Sequence, residues 1–518
     1  MSAAFREALA LLPDYLGQHL MLSVAAILLG TAISLPLAVA AVRLRRLRGP
    51  LLALASIVQT IPALALLALF YPLLLALSLI TRDLFGVGVP ALGWLPALLA
   101  LTLYSMLPVL RNTVTALTGI DPAVLMAARG VGMTSRQSLL LVEIPLAAPV
   151  IVAGIRTASV WVVGTATLST PIGQTSLGNY IFTGLQTENW VFVLFGCVSA
   201  ALLALLLDGL LALAASGLAQ RARWRIALAG AGLAALIAAA LVPALAVPGQ
   251  TIIVGAKNFP EQYILADLIA ARLNQAGLAA SQKSDLGSHI AFRALAANDL
   301  DVYVDYSGTL WANQMHRADM PGREAMLAQL GAWLQKEHAI EMLGPLGFEN
   351  AYVFAMRADR ARALHIESLA DLADHPGALK IGGDFEIFSR PEWQSVVKAY
   401  GVSFAVQRQY QPDFLYHAVA DGDVDVISAF SSDGRIALYN LKILSDPRAA
   451  LPPYDAVLLL GPRHADLLRP ALKPLAGAIS LAAMQQANLM VARPADKKTP
   501  AEAAAWLAGV VASARPGR

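Results

Sequence analysis

The chain has 518 residues, a net charge of +3, 57% hydrophobic residues and only 14% charged ones. That length exceeds one ordinary domain and that apolar share exceeds a soluble average. The near-neutral balance, with Arg gathered in short loops, excludes a nucleic-acid-binding surface. The one cysteine, Cys197, excludes an intrachain disulfide. Set in an apolar run, it reads as a small buried hydrophobe. Met1–Asp14 lacks a Lys/Arg-rich lead before a small-residue cleavage site, so no cleavable signal pattern is read there.

The composition breaks just after Pro248-Gly249, with apolar stretches before it and a water-soluble pattern after it. About six stretches reach the ~20 residues a membrane span requires. They are Leu20–Val42, Leu51–Ile80, Val87–Leu110, Ala147–Leu168, Val191–Ala219 and Ile226–Val247. Arg43, Arg45, Arg46 and Arg48 follow the first, Arg111, Arg129 and Arg136 follow the third, and Arg221, Arg223 and Arg225 follow the fifth. The positive-inside rule then puts these loops in the cytoplasm, and the N-terminus and the soluble half outside. Arg156 and Asp208 fall inside spans. Such charges face a cavity, or lie near the bilayer edge and snorkel or pair structurally; the second reading is preferred here.

Between the third and fourth spans, Asp121 is placed to cap a helix that Pro122 starts, and Gly130 and Gly132 allow a turn before Ile144-Pro145 re-enters the membrane. A short helix offered on the cytoplasmic face suits docking to a partner; a plain re-entry loop is the alternative. The string AARGVGMTSRQSLLLVEIPLAAPVIVAGIRTA (Ala127–Ala158) resembles the coupling loop of ABC-importer permeases. The runs QTIPALALLALF (Gln59–Phe70) and SLGNYIFTGL (Ser176–Leu185) resemble the osmoprotectant branch of those permeases. The resemblance implies that Ala127, Ala128, Gly132 and Pro145, in a loop of about residues 111–145, dock a separate ATP-binding subunit in two copies. Met126 stands where that family usually has Glu. The chain carries no G-x-x-x-x-G-K-[ST], so no phosphate-cradling loop of its own is read.

Past the break, short apolar runs alternate with helical patterns. Thr251–Gly255, Asp301–Val304, Tyr352–Met356, Asp425–Ile427 and Ala456–Leu460 read as strands, and Glu261–Ala276 as a helix. That is an α/β pattern long enough for two lobes with a cleft between them. The strings VGAKNFPEQYILADLI (Val254–Ile269), DVYVDYSGTL (Asp301–Leu310), AFSSDGRI (Ala429–Ile436) and LPPYDAVLLL (Leu451–Leu460) are similar to the binding proteins of glycine betaine, choline and carnitine importers. In such proteins a trimethylammonium head, which has no N–H to donate, is held on aromatic faces by cation–π attraction, and the carboxylate tail meets basic and hydroxyl groups.

The resemblance places an aromatic box at Tyr306, Tyr352, Phe430 and Tyr454. It places tail contacts at Lys257, Thr309 and Arg390, with Asn350 near the box and Asn258 as a further candidate. Phe430 stands where Tyr is common, Pro260 where Thr is common, and Glu392-Trp393 follow Arg390-Pro391 where Asp-Gly is usual. These aromatics come without an evident carboxylate partner. Trp311 and Trp393 read as packing. The histidines show no metal-ligand spacing and there is no G-x-S-x-G, so an enzyme is not expected.

The expected architecture is an α-helical transmembrane permease domain (1–225), a sixth span with a short linker (226–249) and an extracytoplasmic α/β two-lobed, periplasmic-binding-protein-like domain (250–518). The expected function is import of a quaternary-ammonium osmoprotectant, without a cofactor, by a multi-pass protein of the bacterial inner membrane that pairs with a second copy. Ergothioneine, which also carries a trimethylammonium and a carboxylate, is the alternative ligand. A membrane-anchored ligand sensor is the alternative of another class, and the coupling-loop string speaks against it.

Overall fold

The computed structural model describes residues 3–85, 88–245, 251–317, 319, 321–384, 387–410, 412–493 and 495–513. The chain divides into two compact units, residues 1–185 and 189–249 in one and residues 186–188 and 250–518 in the other.

The first unit is helical. Helix α1 (Ala3–Arg43) has 41 residues, about 60 Å at 1.5 Å per residue. It therefore begins well before the expected span at Leu20, and its first turns pack inside the unit. Tyr180 donates to the Ala8 carbonyl at 2.6 Å, and Tyr15 meets the Tyr180 ring at 4.8 Å. The expected second span, Leu51–Ile80, is corrected: it is two helices, α2 (Arg45–Thr60) and α3 (Ala63–Phe85), bent by 101°. The cause is Ile61-Pro62. A residue before proline is pushed out of the helical region, and Ile61 is extended at φ −71°, ψ 127°. The carbonyl freed at the break accepts from the Tyr104 hydroxyl.

Helix α4 (Trp94–Thr118) begins later than expected and continues to Thr118, so the loop expected from residue 111 begins at Gly119. Two small helices follow, α5 (Pro122–Gly130) and α6 (Ser135–Ser138), then a π-helical turn (Leu139–Glu143) leading into α7 (Ile144–Ala166). Helices α8 (Gly178–Gln186), α9 (Trp190–Ala219) and α10 (Arg223–Leu245) complete the unit. Among the described residues, five helices are long and apolar enough to span a membrane, six if the bent pair counts as one. Arg156 on α7 and Asp208 on α9 pair through two bonds of 2.9 and 2.8 Å, which fixes one helix against the other. Cys197 corrects its expectation: it lies exposed on α9, not buried.

The second unit is α/β with two five-stranded sheets. In the first, β1 (Ile252–Lys257) is flanked by β2 (Ala280–Leu286) and β3 (Val302–Tyr306), both parallel to it. Strand β10 (Asp455–Leu460) runs antiparallel between β3 and β4 (Glu341–Glu349). In the second, β6 (Lys380–Gly383) lies between β7 (Val406–Gln409) and β8 (Val426–Phe430), both parallel to it. Strand β5 (Tyr352–Arg357) runs antiparallel to β8 and to β9 (Leu441–Ile443). The chain leaves the first lobe between β4 and β5 and returns between β9 and β10. The two crossings meet where the Asn350 N–H donates to the Tyr454 carbonyl at 2.9 Å. Central strands are buried on both faces, so Ala456–Leu460 is a continuous apolar run with no exposure. Helix α11 (Pro260–Gln275) covers the first sheet with Ile264, Leu265, Leu268 and Ile269, the positions its apolar period predicts.

Candidate functional site

The two crossings and the carboxyl ends of β1, β3, β6 and β8 surround one cleft between the lobes. Open α/β sheets offer ligands such a crevice at these strand ends. All nine residues named from the sequence line it: Lys257, Asn258, Tyr306, Thr309, Asn350, Tyr352, Arg390, Phe430 and Tyr454.

Local register explains the aromatic group. Tyr352 opens β5 and Phe430 closes β8, and the two are direct antiparallel partners. Cross-strand neighbours sit close enough for ring contact, and these centroids are 4.7 Å apart. Tyr454 comes from the return crossing and meets Tyr352 edge-on at 5.9 Å. Its ring lies against Gly308, where a Cβ would come within 2.6 Å of it, so the close approach requires glycine in the SGT turn after β3. Tyr306 ends β3 and stacks on Phe259 at 6.1 Å, a partner the sequence reading did not single out.

The charged groups are tied up internally. Lys257, expected as a tail contact, is 2% exposed and ion-paired with buried Asp305; its ammonium lies 5.1 Å from the Tyr306 ring centroid. Arg390 bonds Glu392 at 3.1 Å and the Tyr454 hydroxyl at 3.2 Å, and its guanidinium stands 5.2 Å from the Tyr352 ring centroid. Tyr454 also donates to Glu392. Burial alone would raise the Glu392 carboxyl, but the Arg390 guanidinium and the hydrogen bonds that carboxyl accepts, the one from Tyr454 among them, together hold it below the usual range.

Carboxylates do attend the aromatics, contrary to the sequence reading. The Tyr352 hydroxyl is 3.4 Å from Asp384, and the Tyr306 hydroxyl donates to Glu261 at 2.6 Å. Glu261 also accepts from Asn350 at 3.1 Å and Asn488 at 2.9 Å. It thereby joins α11, the outgoing crossing and the helix Leu481–Ala492. Burial pushes the Glu261 carboxyl above its ordinary value, against the hydrogen bonds it accepts. Burial likewise pushes the Tyr306 phenol well up, reinforced by Glu261.

The cleft also includes Asp433 and Arg435, paired at 2.8 Å. Glu261, Asp433 and Arg435 lie inside strings already quoted, and only their roles were missed. Asn488 had no such signal. Trp393 is core, 5.2 Å from Phe388 and 5.8 Å from Phe354, and Trp311 donates its indole N–H to the Asp319 carbonyl at 2.7 Å, so both are packing. Among the described residues no three His, Cys, Asp or Glu side chains gather as a metal site.

The loop after α4 presents a second arrangement. The Asp121 carboxylate caps α5 by accepting from the Ala123 N–H at 2.8 Å. Gly132 terminates that helix at φ +82°, a left-handed conformation that suits glycine. Ala127, Gly132 and Pro145 are exposed and Ala128 is buried, while Met126 and Val131 are exposed apolar side chains at 63% and 74%.

Comparison with known proteins matches these two units separately. Residues 250–509 match the family described as the substrate binding domain of ABC-type glycine betaine transport systems. Residues 20–223 match the binding-protein-dependent transport system inner membrane component. The ergothioneine transport permease/ergothioneine binding protein EgtU of Helicobacter pylori strain G27 is 29% identical over 429 residues, 80% of this chain and 74% of that protein. The glycine betaine/carnitine/choline transport system permease protein OpuCB of Bacillus subtilis strain 168 is 41% identical over 196 residues, 38% of this chain and 83% of that protein. A crystal structure titled as a glycine betaine/carnitine/choline ABC transporter aligns with 49% of this chain and 96% of its own, at 26% identity and a TM-score of 0.46. The chain belongs to the ABC-type binding-protein-dependent importers, as a multi-pass inner-membrane permease component continued in the same polypeptide by a substrate-binding domain of the glycine betaine transport type.

Proposed function

We propose that this chain imports a trimethylammonium compound: residues 250–518 capture it outside the membrane, and the helical unit passes it inward when a separate ATP-binding subunit docks through Ala127, Ala128, Gly132 and Pro145. The observation that carries the ligand reading is the aromatic group Tyr352, Phe430 and Tyr454, with Tyr306 in the same cleft. Ring faces suit a cation that cannot donate hydrogen bonds, at about 0.5–2 kcal/mol each. Arg390 is the stronger candidate for a carboxylate tail. Lys257 already satisfies Asp305, and drawing it to a ligand would strand a buried carboxylate.

The docking reading rests on the capped helix α5 and its exposed apolar residues. Two copies of the chain with two ATP-binding subunits would make the working importer. Within the ligand class, glycine betaine, choline and carnitine fit the domain's family. Ergothioneine is the second reading, favoured because the Helicobacter pylori relative that aligns over 80% of this chain carries that compound in its name. Competition among these four for the purified domain, followed by uptake of the tightest binder in proteoliposomes with ATP, tests the proposal. Binding of none of them removes the ligand reading, and uptake without an ATP-binding subunit removes the docking reading.

A further inference from the structure

The docking loop is joined to the first span by a contact outside the docking residues. Arg43, the last residue of α1, donates through Nη2 to Glu143 Oε1 at 2.7 Å. Ser138, the last residue of α6, donates to the same oxygen at 3.0 Å. The Arg43 side chain is 42% exposed and that of Glu143 only 4%. An open surface pair contributes little. A carboxylate withdrawn from water depends on its donors and is costly to leave without them.

Three features surround this pair. The loop helices are locally stiff, because Asp121 caps α5 and a reciprocal Thr134–Gln137 capping box closes α6. The five residues from Leu139 to Glu143 form a π turn, which sets Glu143 between the loop and α7; π turns inside helices recur at functional positions. On the other side, Leu44 breaks the helix at φ −113°, ψ 84° directly after Arg43, and α2 leads from there to the 101° bend. The pair therefore sits where the loop, the root of α7, the end of α1 and the corner into the bent span converge.

We propose that Arg43, Glu143 and Ser138 form the link that carries displacement of the docking loop into α1 and the bent pair α2–α3, so that ATP hydrolysis moves the spans. They act as positioning residues. When the stiff loop shifts, Glu143 keeps its two donors only if Arg43 follows, and losing them leaves a buried carboxylate unsatisfied. This inference rests on the docking reading above and adds to it a specific transmission point.

The test uses the full chain with its ATP-binding subunit in proteoliposomes, with glycine betaine, choline, carnitine and ergothioneine as probes. Three quantities are followed: co-purification of the ATP-binding subunit, ATP turnover and uptake per ATP. Glu143→Gln and Arg43→Met are expected to keep co-purification and ATP turnover near wild type while uptake per ATP falls roughly 10-fold, about 1.4 kcal/mol of coupling. Arg43→Lys, which keeps the charge, should restore most of it. Wild-type uptake per ATP in both neutral variants overturns the proposal. So does a loss that Arg43→Lys leaves unrepaired and that comes with loss of the bound subunit, because the pair is then only part of the fold. Failure of the underlying readings looks different: Gly132→Asp leaving uptake intact removes the docking loop, and wild-type uptake of none of the four probes removes the ligand class.

Discussion

Replacing Tyr352 separates a ring-face role from a hydroxyl role at the centre of the cleft. Its ring touches Phe430 at 4.7 Å and Tyr454 at 5.9 Å, and it lines the cleft from the start of β5. Tyr352→Ala removes one cation–π face and its contact area, so binding should weaken by about 1–2 kcal/mol, or roughly 5- to 30-fold. Tyr352→Phe keeps the face and removes a hydroxyl held 3.4 Å from Asp384, at the long end for a hydrogen bond. Its cost should stay below about 0.5 kcal/mol, near 2-fold. Tyr352 is also buried, so the alanine variant will be less stable; Tyr352→Leu fills most of the volume without a ring and should bind like alanine. The assay is calorimetry on residues 250–518, with circular dichroism to confirm folding. Equal losses for Phe and Ala would refute the ring-face reasoning and make the hydroxyl the contact.

Gly132→Asp forces a non-glycine residue to φ +82° at the end of α5, and uptake should fall at least ~10-fold while ligand binding by residues 250–518 is unchanged; retained uptake counts against the docking role. Lys257→Met strands buried Asp305 and should destabilise the binding domain by about 3–5 kcal/mol in urea unfolding. The double variant with Asp305→Asn should recover much of that, whereas additive losses would show that the pair is not the reason Lys257 is buried. Burial raises the Asp285 carboxyl from 3.8 to about 7, so its folded pKa lies above its unfolded one. Its contribution is then fully present below the ordinary aspartate range and lost as pH rises through about 7. Asp285→Asn should be nearly neutral at pH 4 and gain on the order of 2–4 kcal/mol relative to wild type at pH 8. An unchanged difference between the two pH values would rule out that titration.

The division of the chain was legible because membrane and water demand opposite compositions, and the strands because buried β runs are short and apolar. The broken second span was less legible: Leu51–Ile80 is uniformly apolar, and hydropathy does not register what Ile61-Pro62 does to the backbone. The early start of α1 was hidden for a related reason, since Ala3–Gln18 is only moderately apolar and is held by tertiary partners such as Tyr180. The nine cleft residues were reached residue by residue through the resemblance to the binding proteins of glycine betaine, choline and carnitine importers; spacing alone did not mark them. Their ionic partners were not reached, because Lys257–Asp305 and Tyr306–Glu261 join residues 48 and 45 positions apart, and no local pattern reports which buried charge faces which.

The most direct test of the account is one titration series. Purified residues 250–518 are titrated in a calorimeter with glycine betaine, choline, carnitine and ergothioneine, and with glycine as the primary-amine counterpart of glycine betaine. The account predicts saturable binding of at least one trimethylammonium compound, and binding of glycine at least ~10-fold weaker than that of glycine betaine if glycine betaine is a ligand, because an ammonium with N–H groups gives up more hydration than the ring faces return. Equal affinity for glycine and glycine betaine, or no binding of any trimethylammonium compound by the folded domain, would contradict it.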